Sequence, residues 1–332
     1  MAKLSVLIPT YNRANKLLRL LKNIETNIVD SNIKEEIEVL ISDNASEDNT
    51  QEVVADYQTD KFKITYFRQS INLRFDGNVR FLYEQANTDY VWFFADDDIM
   101  LPGAILTILE GIERYKPDVL LSSFIQPPGW EGRTYTFPNR YEIITDPKTM
   151  IELVFKCTKL SVYVMKKVSF SSKQLNELKP FYENGFYFVD LSYSVLGLRD
   201  KPKLCIVSEP LSTCDDDYIK FDFPPGVFKD MYKVFYHPFV LKYHPDMIKK
   251  WRFRSYYMEI ESLFAIKTGA LITDKMDVYD RGIRDMKVMM IPLIKSPRVF
   301  ILFIILKMNL VNAYKKIRPA VKMVTNVYRK IL

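Results

Sequence analysis

Five short runs in the first 125 residues are almost wholly apolar: LSVLIP (4–9), IEVLISD (37–43), ITYFR (64–68), YVWFFA (90–95) and DVLLSS (118–123). Their lengths and their β-branched and aromatic content predict strands that are largely buried. Between them the period changes. Leu17, Leu20, Leu21 and Ile24 share one face of a predicted helix over 16–28, and further helices are predicted over 47–57, 77–87 and 103–115. Regular alternation of strand and helix predicts an α/β domain with a mainly parallel sheet covered by helices on both faces. Ligands of such sheets lie beyond the carboxyl ends of the strands. The polar clusters 10–13, 43–46 and 96–98 all fall at those ends.

The third cluster carries the strongest chemistry. In YVWFFADDDIMLP (90–102) an apolar strand delivers Asp96, Asp97 and Asp98 in succession. Adjacent carboxylates repel, and partial burial makes ionising all three costly unless a cation is near. Mg2+ and Mn2+ take oxygen ligands, commonly one or two carboxylates combined with substrate phosphates. The competing expectation is an acidic turn at the head of the next helix, where Asp is favoured by capping and by the dipole. The first strand is followed by PTYNR without a glycine, so neither G-x-G-x-x-G nor G-x-x-x-x-G-K-[ST] is present. That argues against dinucleotide chemistry and against a P-loop ATPase. No glycine-rich, basic loop of a sugar nucleotidyltransferase is visible either.

SVLIPTYNR, ISDNASEDNT, NLRFDGNV and FFADDDIMLPGA, in that order, resemble the motifs of the N-terminal domain of family 2 glycosyltransferases. The last two resemble the branch that includes abequosyltransferases of O-antigen assembly. The resemblance implies a GT-A fold, with residues 1–225 as the transferase domain (nucleotide half 1–125, acceptor half 126–225) and 226–332 as a helical, basic C-terminal region. It implies a nucleotide-sugar donor (UDP-, GDP-, CDP- or dTDP-sugar) along Pro9, Thr10, Tyr11, Arg13, Asp43, Asn44, Arg74, Asn78, Asp96 and Asp97. In that reading Tyr11 stacks and Arg13 bridges to base or phosphate oxygens, while Asp43 accepts from the base ring and Ser46 is left to cap the next helix. Asp43 as an Asx turn or cap is the competing expectation. Asp76 and Arg80 lie in the same donor-side segment.

Mn2+ or Mg2+ is implied at Asp96, Asp97 and Asp98. Read as D-x-D, the ligands are Asp96 and Asp98; anchored on Ile99, Asp97 holds the metal and Asp96 the ribose. The resemblance also implies an inverting single displacement with a carboxylate base at the head of a later helix. Asp190 in NGFYFVDLSYSVLGLR is the best match, with Glu183 in reserve. The run Cys214 to Asp217 falls where many relatives place a further ligand, often histidine, and no histidine is present there. His237 and His244 lack metal-pair spacing and are expected to be packing or surface residues. The segment 126–139 reads as a loop that covers the acceptor or folds against the sheet.

Charge is divided along the chain. Residues 286–332 hold ten Lys or Arg and no acid, a charge of +10, which leaves the other 285 residues at 37 basic against 41 acidic, or −4. Aliphatic runs at 288–294 and 299–306 interleave with these cations. That combination predicts an amphipathic segment lying on an anionic membrane surface and argues against nucleic acid. The runs are too short for a transmembrane span. Three cysteines and a first strand starting at Leu4 predict a reducing compartment without a secretory signal. The expectation is therefore a peripheral enzyme at the cytoplasmic face of the inner membrane, transferring sugar to a polyprenyl diphosphate-linked glycan of O-antigen or capsule. A catalytically inactive GT-A assembly partner and a nucleic-acid-binding protein are the rival expectations.

Overall fold

Seven consecutive buried residues, Leu4–Thr10, form the central strand β1 in the computed structural model, which describes residues 2–28, 31–126, 132–181, 184–214, 232–247 and position 304. In chain order the elements are β1, α1 (Ala14–Asn27), α2 (Ser31–Lys34), β2 (Ile37–Asp43), α3 (Thr50–Asp56), β3 (Lys63–Arg68), α4 (Arg74–Gln85), β4 (Tyr90–Phe93), β5 (Asp98–Met100) and α5 (Ala104–Tyr115). There follow β6 (Val119–Ile125), β7 (Tyr141–Ile144), α6 (Pro147–Lys156), a 3-10 turn (Leu160–Val162), β8 (Tyr163–Lys166), α7 (Ser172–Leu178), α8 (Tyr187–Gly197), β9 (Leu204–Cys214) and α9 (Pro238–Tyr243). These elements belong to one unit, residues 1–216 and 233–245. The predicted boundary at 225, Glu183, residues 215–217 and, apart from position 304, the basic segment 286–332 lie outside the described residues.

The strands make a nine-stranded sheet in the order β3-β2-β1-β4-β8-β6-β9-β5, with β7 on β9. β3, β2, β1 and β4 are parallel throughout, as the alternation predicts. The second half is mixed. β8 runs antiparallel to both β4 and β6, and β5 and β7 run antiparallel to β9, which is itself parallel to β6. Strand order reverses at β1, with β2 on one side and β4 on the other, so the crevice between the carboxyl ends of β1 and β4 is the switch point where open sheets bind ligands.

Alternate residues serve opposite faces of the sheet. Leu4, Val6 and Ile8 of β1 join Val39, Ile41 and Trp92 in a core closed by Leu17, Leu20, Leu21 and Ile24 of α1 and by Ile105 and Ile108 of α5. Leu7, Val91 and Phe93 are buried outside that cluster, and α4 packs on β1 and β2. The described part of 126–139 folds against the sheet: Tyr135 is fully buried and its N–H donates to Ser123 Oγ. Gly111 of α5 sits where a Cβ would come within 2.9 Å of Leu120, so the residue permits the close approach of helix and strand.

A polar stripe on α1 reaches across to the chain after β4. Asn23 pairs with the Met100 backbone as a neighbouring strand would, accepting from its N–H at 2.6 Å and donating to its carbonyl at 2.9 Å. One turn either side, Arg19 donates to the Asp97 carbonyl and Asn27 accepts from the Ala104 N–H. Asn23→Ala leaves both Met100 groups without these partners in a buried strand. It is expected to cost about 1–3 kcal/mol, measured as a lower urea midpoint at unchanged m-value.

Candidate active site

Three loops meet at the switch point. Thr10, the last residue of β1, donates from Oγ1 to Asp96 Oδ2 at 2.7 Å. Arg13, immediately before α1, places one guanidinium nitrogen 2.7 Å from Asp96 Oδ1 and 2.8 Å from Asp97 Oδ2. Partial desolvation lowers the pKa of the Arg13 guanidinium, whose side chain is still open to solvent, but the two carboxylates outweigh it and hold the group above its ordinary value. Burial lifts Asp96, against the pull of Arg13. Asp98 turns the other way: its Oδ2 accepts from Ser161 Oγ at 2.6 Å. Ser161 also receives the Ala95 N–H on its hydroxyl, and its carbonyl accepts from the Trp92 indole. Burial, reinforced by Asp97, pushes Asp98 up to about 7.

The loops after β1 and β2 are clipped to each other. Asn44 N–H donates to the Thr10 carbonyl, Asn12 N–H to Ser46 Oγ, and Glu47 N–H to Asn12 Oδ1. The cap before α3 comes from Asp48 and not, as expected, from Ser46: Asp48 accepts from the N–H groups of Thr50 and of Ala14, the first residue of α1. Ser46 faces Asn12 because Asp43 Oδ1 already takes its N–H at 2.8 Å. Asn12, Ala45 and Arg74 all have left-handed backbones, with φ of 52°, 65° and 60°. Tyr11, beside them, is 42% exposed.

Several expected donor residues are also used within the protein. The fully buried Asp43 accepts the Tyr66 hydroxyl at 2.6 Å on its second oxygen. Asn44 accepts the Leu73 N–H and donates to Asn72 and to the Arg74 carbonyl, which fixes the entry to α4. Asn78 is buried with both ends of its amide on Ser42. Pro9 is buried within β1, and Arg80 lies near Glu84 on the helix surface. Tyr11, Arg13 and Arg74 are the exposed members of the set.

Asp190 stands in the first turn of α8 and is fully buried. Its Oδ2 accepts from Asn184 Nδ2 at 2.6 Å, whereas Oδ1 has no hydrogen-bond partner among the described residues. Burial raises this carboxyl well above the carboxylate range, the Asn184 hydrogen bond opposes the rise, and the charge of Asp76 adds to it. His237 packs behind the helix with Nε2 2.9 Å from Ser194 and Nδ1 accepting at the start of α9, and His244 meets Glu152.

Among the described residues no group of three or more His, Cys, Asp or Glu forms a ready metal cage. The acid turn nevertheless has the chemistry a hard divalent ion requires. Asp97 and Asp98 each commit one oxygen, to Arg13 and to Ser161, whereas both oxygens of Asp96 are taken. Two carboxylates with oxygens to spare match a site completed by phosphate. Cys214 lies opposite Asp98 in the β5–β9 pairing, which brings the end of β9 beside this turn. Ser161, Asn23 and Asp48 are site-building residues that the motifs do not reveal. The i, i+4, i+8 stripe Arg19, Asn23, Asn27 is a retrospective signal for one of them. A surface cleft of about 430 Å3 near Ile37, Phe62 and Thr88 lies at the opposite ends of the strands.

Parallel strands β3-β2-β1-β4, helices on the sheet and an acid turn at the switch point define a domain of the GT-A type. Residues 5–169 match the sequence model of glycosyl transferase family 2, and this part of the chain is a domain of that family. It is 35% identical over 111 residues, 33% of this chain and 34% of the relative, to a GalNAc(5)-diNAcBac-PP-undecaprenol beta-1,3-glucosyltransferase of Campylobacter jejuni. It is 37% identical over 119 residues, 36% of this chain and 34% of the relative, to abequosyltransferase RfbV of Salmonella typhimurium. The chain thus spans about a third of the length of each of these relatives. In fold it resembles S. aureus TarS 1–349 (TM-score 0.55, 15% identity, 97% of this chain and 91% of that one). It also resembles the mannosyltransferase PcManGT of Pyrobaculum calidifontis, solved with GDP-Man and Mn2+ (TM-score 0.50, 11% identity, 91% and 85%).

The raised Asp98 has a thermodynamic signature. Between the ordinary aspartate pKa near 4 and about 7, the unfolded chain has lost a proton that the folded protein keeps. Metal-free stability therefore falls as pH rises through that window. Asp98→Asn stays neutral, so in EDTA its urea midpoint should fall less between pH 5 and pH 7.5 than that of the parent; parallel curves would mean that Asp98 is ionised throughout.

Proposed function

We propose that this protein is an inverting glycosyltransferase that moves a sugar from a nucleotide donor to a lipid-linked glycan acceptor in surface-polysaccharide assembly. The observation that carries the reading is the junction of Thr10 and Arg13 with Asp96 and Asp97 at the β1/β4 switch point. It gathers an exposed aromatic ring, a guanidinium and carboxylates where an open sheet binds ligands. The acceptor class rests on the relatives named for undecaprenol-linked and abequosyl transfer. In this reading Tyr11 stacks on the base and Arg13 and Arg74 bind the diphosphate, with Asp43 and Asn44 holding the loops that shape the base end. Asp97 and Asp98 would hold Mn2+ or Mg2+, which when bound neutralises the diphosphate and stabilises the departing nucleotide.

Asp190 is assigned the base. Asn184 engages one of its carboxylate oxygens, and the unpartnered Oδ1 is the atom left to take the proton of the acceptor hydroxyl. A raised pKa makes its carboxylate a stronger proton acceptor than an ordinary aspartate. The hydroxyl oxygen attacks the anomeric carbon as the nucleoside diphosphate leaves from the other side, which inverts the configuration. Among the described residues no helix is long and apolar enough to cross a membrane. The basic, aliphatic sequence of 286–332 supports peripheral attachment to an anionic bilayer near the acceptor.

A ligand that binds only the folded state raises the melting temperature. UDP-GlcNAc, GDP-mannose, a CDP-sugar and a dTDP-sugar, each with and without Mn2+, should yield a metal-dependent shift for one nucleotide; no shift with any would favour a non-catalytic assembly role. Asp97→Asn should weaken metal-dependent donor binding by about tenfold or more, a loss of about 1.4 kcal/mol. Asp190→Asn should bind the donor normally and fail in transfer, and equal loss of donor binding in both variants would remove Asp190 from the role of base. The full chain should co-sediment with phosphatidylglycerol vesicles at low salt and release at high salt, in preference to duplex DNA.

A further inference from the structure

The helix that carries Asp190 begins in a way its own sequence does not explain. Phe186 stands at the N-cap of α8 and offers no side-chain hydrogen bond, although the first N–H groups of a helix need partners. The partner comes from a different helix. Asp76, in the first turn of α4, is buried, and its carboxylate accepts from Gly185 N–H at 2.6 Å and from Tyr187 N–H at 3.2 Å. Gly185 reaches it with φ of 81°, a left-handed conformation that glycine adopts at little cost. Between these two amides, Phe186 N–H donates to Asn184 Oδ1 at 2.7 Å, and the other end of the same amide donates to Asp190 Oδ2. Phe75, beside Asp76, meets Phe188 of α8 edge to face at 6.3 Å between ring centres.

We infer that Asp76 is a positioning residue for Asp190, fixing the 184–187 turn so that Asn184 presents the acid with Oδ1 unengaged. Neither residue of the Asp76–Asn184 pair touches reacting atoms in this account. The placement of Asp76 explains why a carboxylate is used. Two backbone N–H groups converge on it, and a charged acceptor with two oxygens satisfies both, whereas an amide offers one oxygen and turns an N–H2 toward the other donor. The same short stretch is tied to the donor end of the cleft, because Asn44 holds Leu73 and Arg74 at the start of α4 through its side chain. Asp76 thereby joins the loop that borders the nucleotide to the helix that supplies the acid, across the two halves of the sheet. The inference rests on the assignment of Asp190 as the base.

The test compares Asp76→Ala, Asp76→Asn and Asp190→Asn in the full chain. Donor binding is read as the thermal shift given by whichever of the four nucleotide sugars stabilises the parent, and turnover as nucleoside diphosphate release. Misplacement of a catalytic group by about an ångström costs on the order of a hundredfold, so Asp76→Ala should lower kcat by about ten- to a hundredfold with donor KM within about twofold. Asp76→Asn, which keeps one acceptor, should fall between it and the parent. Amide exchange at Gly185 and Tyr187 should quicken in both variants while that of the β1 amides stays unchanged. Parent-like kcat in a folded Asp76→Ala protein, or a donor KM that rises in step with the fall in kcat, would overturn the positioning role. Retained turnover in Asp190→Asn would instead sink the assignment of the base, whatever Asp76 does.

Discussion

Three successive carboxylates at the end of an apolar strand cannot be left to water, and the surroundings of β4 are organised by that constraint. The acids are met from several parts of the chain: Asp96 by Thr10 and Arg13, Asp97 by Arg13 and, through its carbonyl, by Arg19, and Asp98 by Ser161. Charge that would repel if unaccompanied becomes the point at which β1, α1 and the turn before β8 are fastened together. The same turn is gripped from α1 by Asn23 and Asn27. Position of the acids and integrity of the domain are in this sense one property, because the contacts that hold the triplet also close the core beneath it.

The acid of α8 is handled by the opposite logic. Among the described residues Asp190 has no cation beside it and a single amide partner, and its full burial raises its pKa. The acid turn after β4 is thus met by partners suited to negative charge, whereas burial around Asp190 raises the proton affinity of its carboxyl. In the proposed reaction the first would meet the charge of the leaving nucleotide and the second, as carboxylate, would take up the proton of the incoming hydroxyl.

How much of this was readable in advance follows from burial. β1, β2 and β4 are covered on both faces, so their apolar runs could be taken for nothing else, and the polar residues that end them marked the site. The run through 90–100 misled in one respect. The chain leaves β4 after Phe93 and re-enters the sheet at Asp98 as β5, since β9 offers an antiparallel edge that no local pattern announces. β7 and β8, four residues each, are too short to show a period. Asp190 was legible as an acid heading a helix. Asp76 was placed beside the donor but not beneath α8, because a cap that comes from 109 residues away leaves no trace in spacing. Asn78 and Asp43 look from the motifs like ligand contacts, and the structure shows each also holding its own loop.

The loops at the switch point turn through Asn12, Ala45 and Arg74 in left-handed backbone, without a glycine at any of the three positions. Glycine would adopt those angles with less strain, but it would also leave the loops free to sample many others. Here the turns are held by hydrogen bonds from the neighbouring loop, so the conformational entropy is lost when the chain folds and not when a ligand arrives. Binding at such a surface resembles the docking of two stiff bodies. Its affinity is carried by contacts already in place, and its selectivity by shapes that do not yield to a poorly fitting guest.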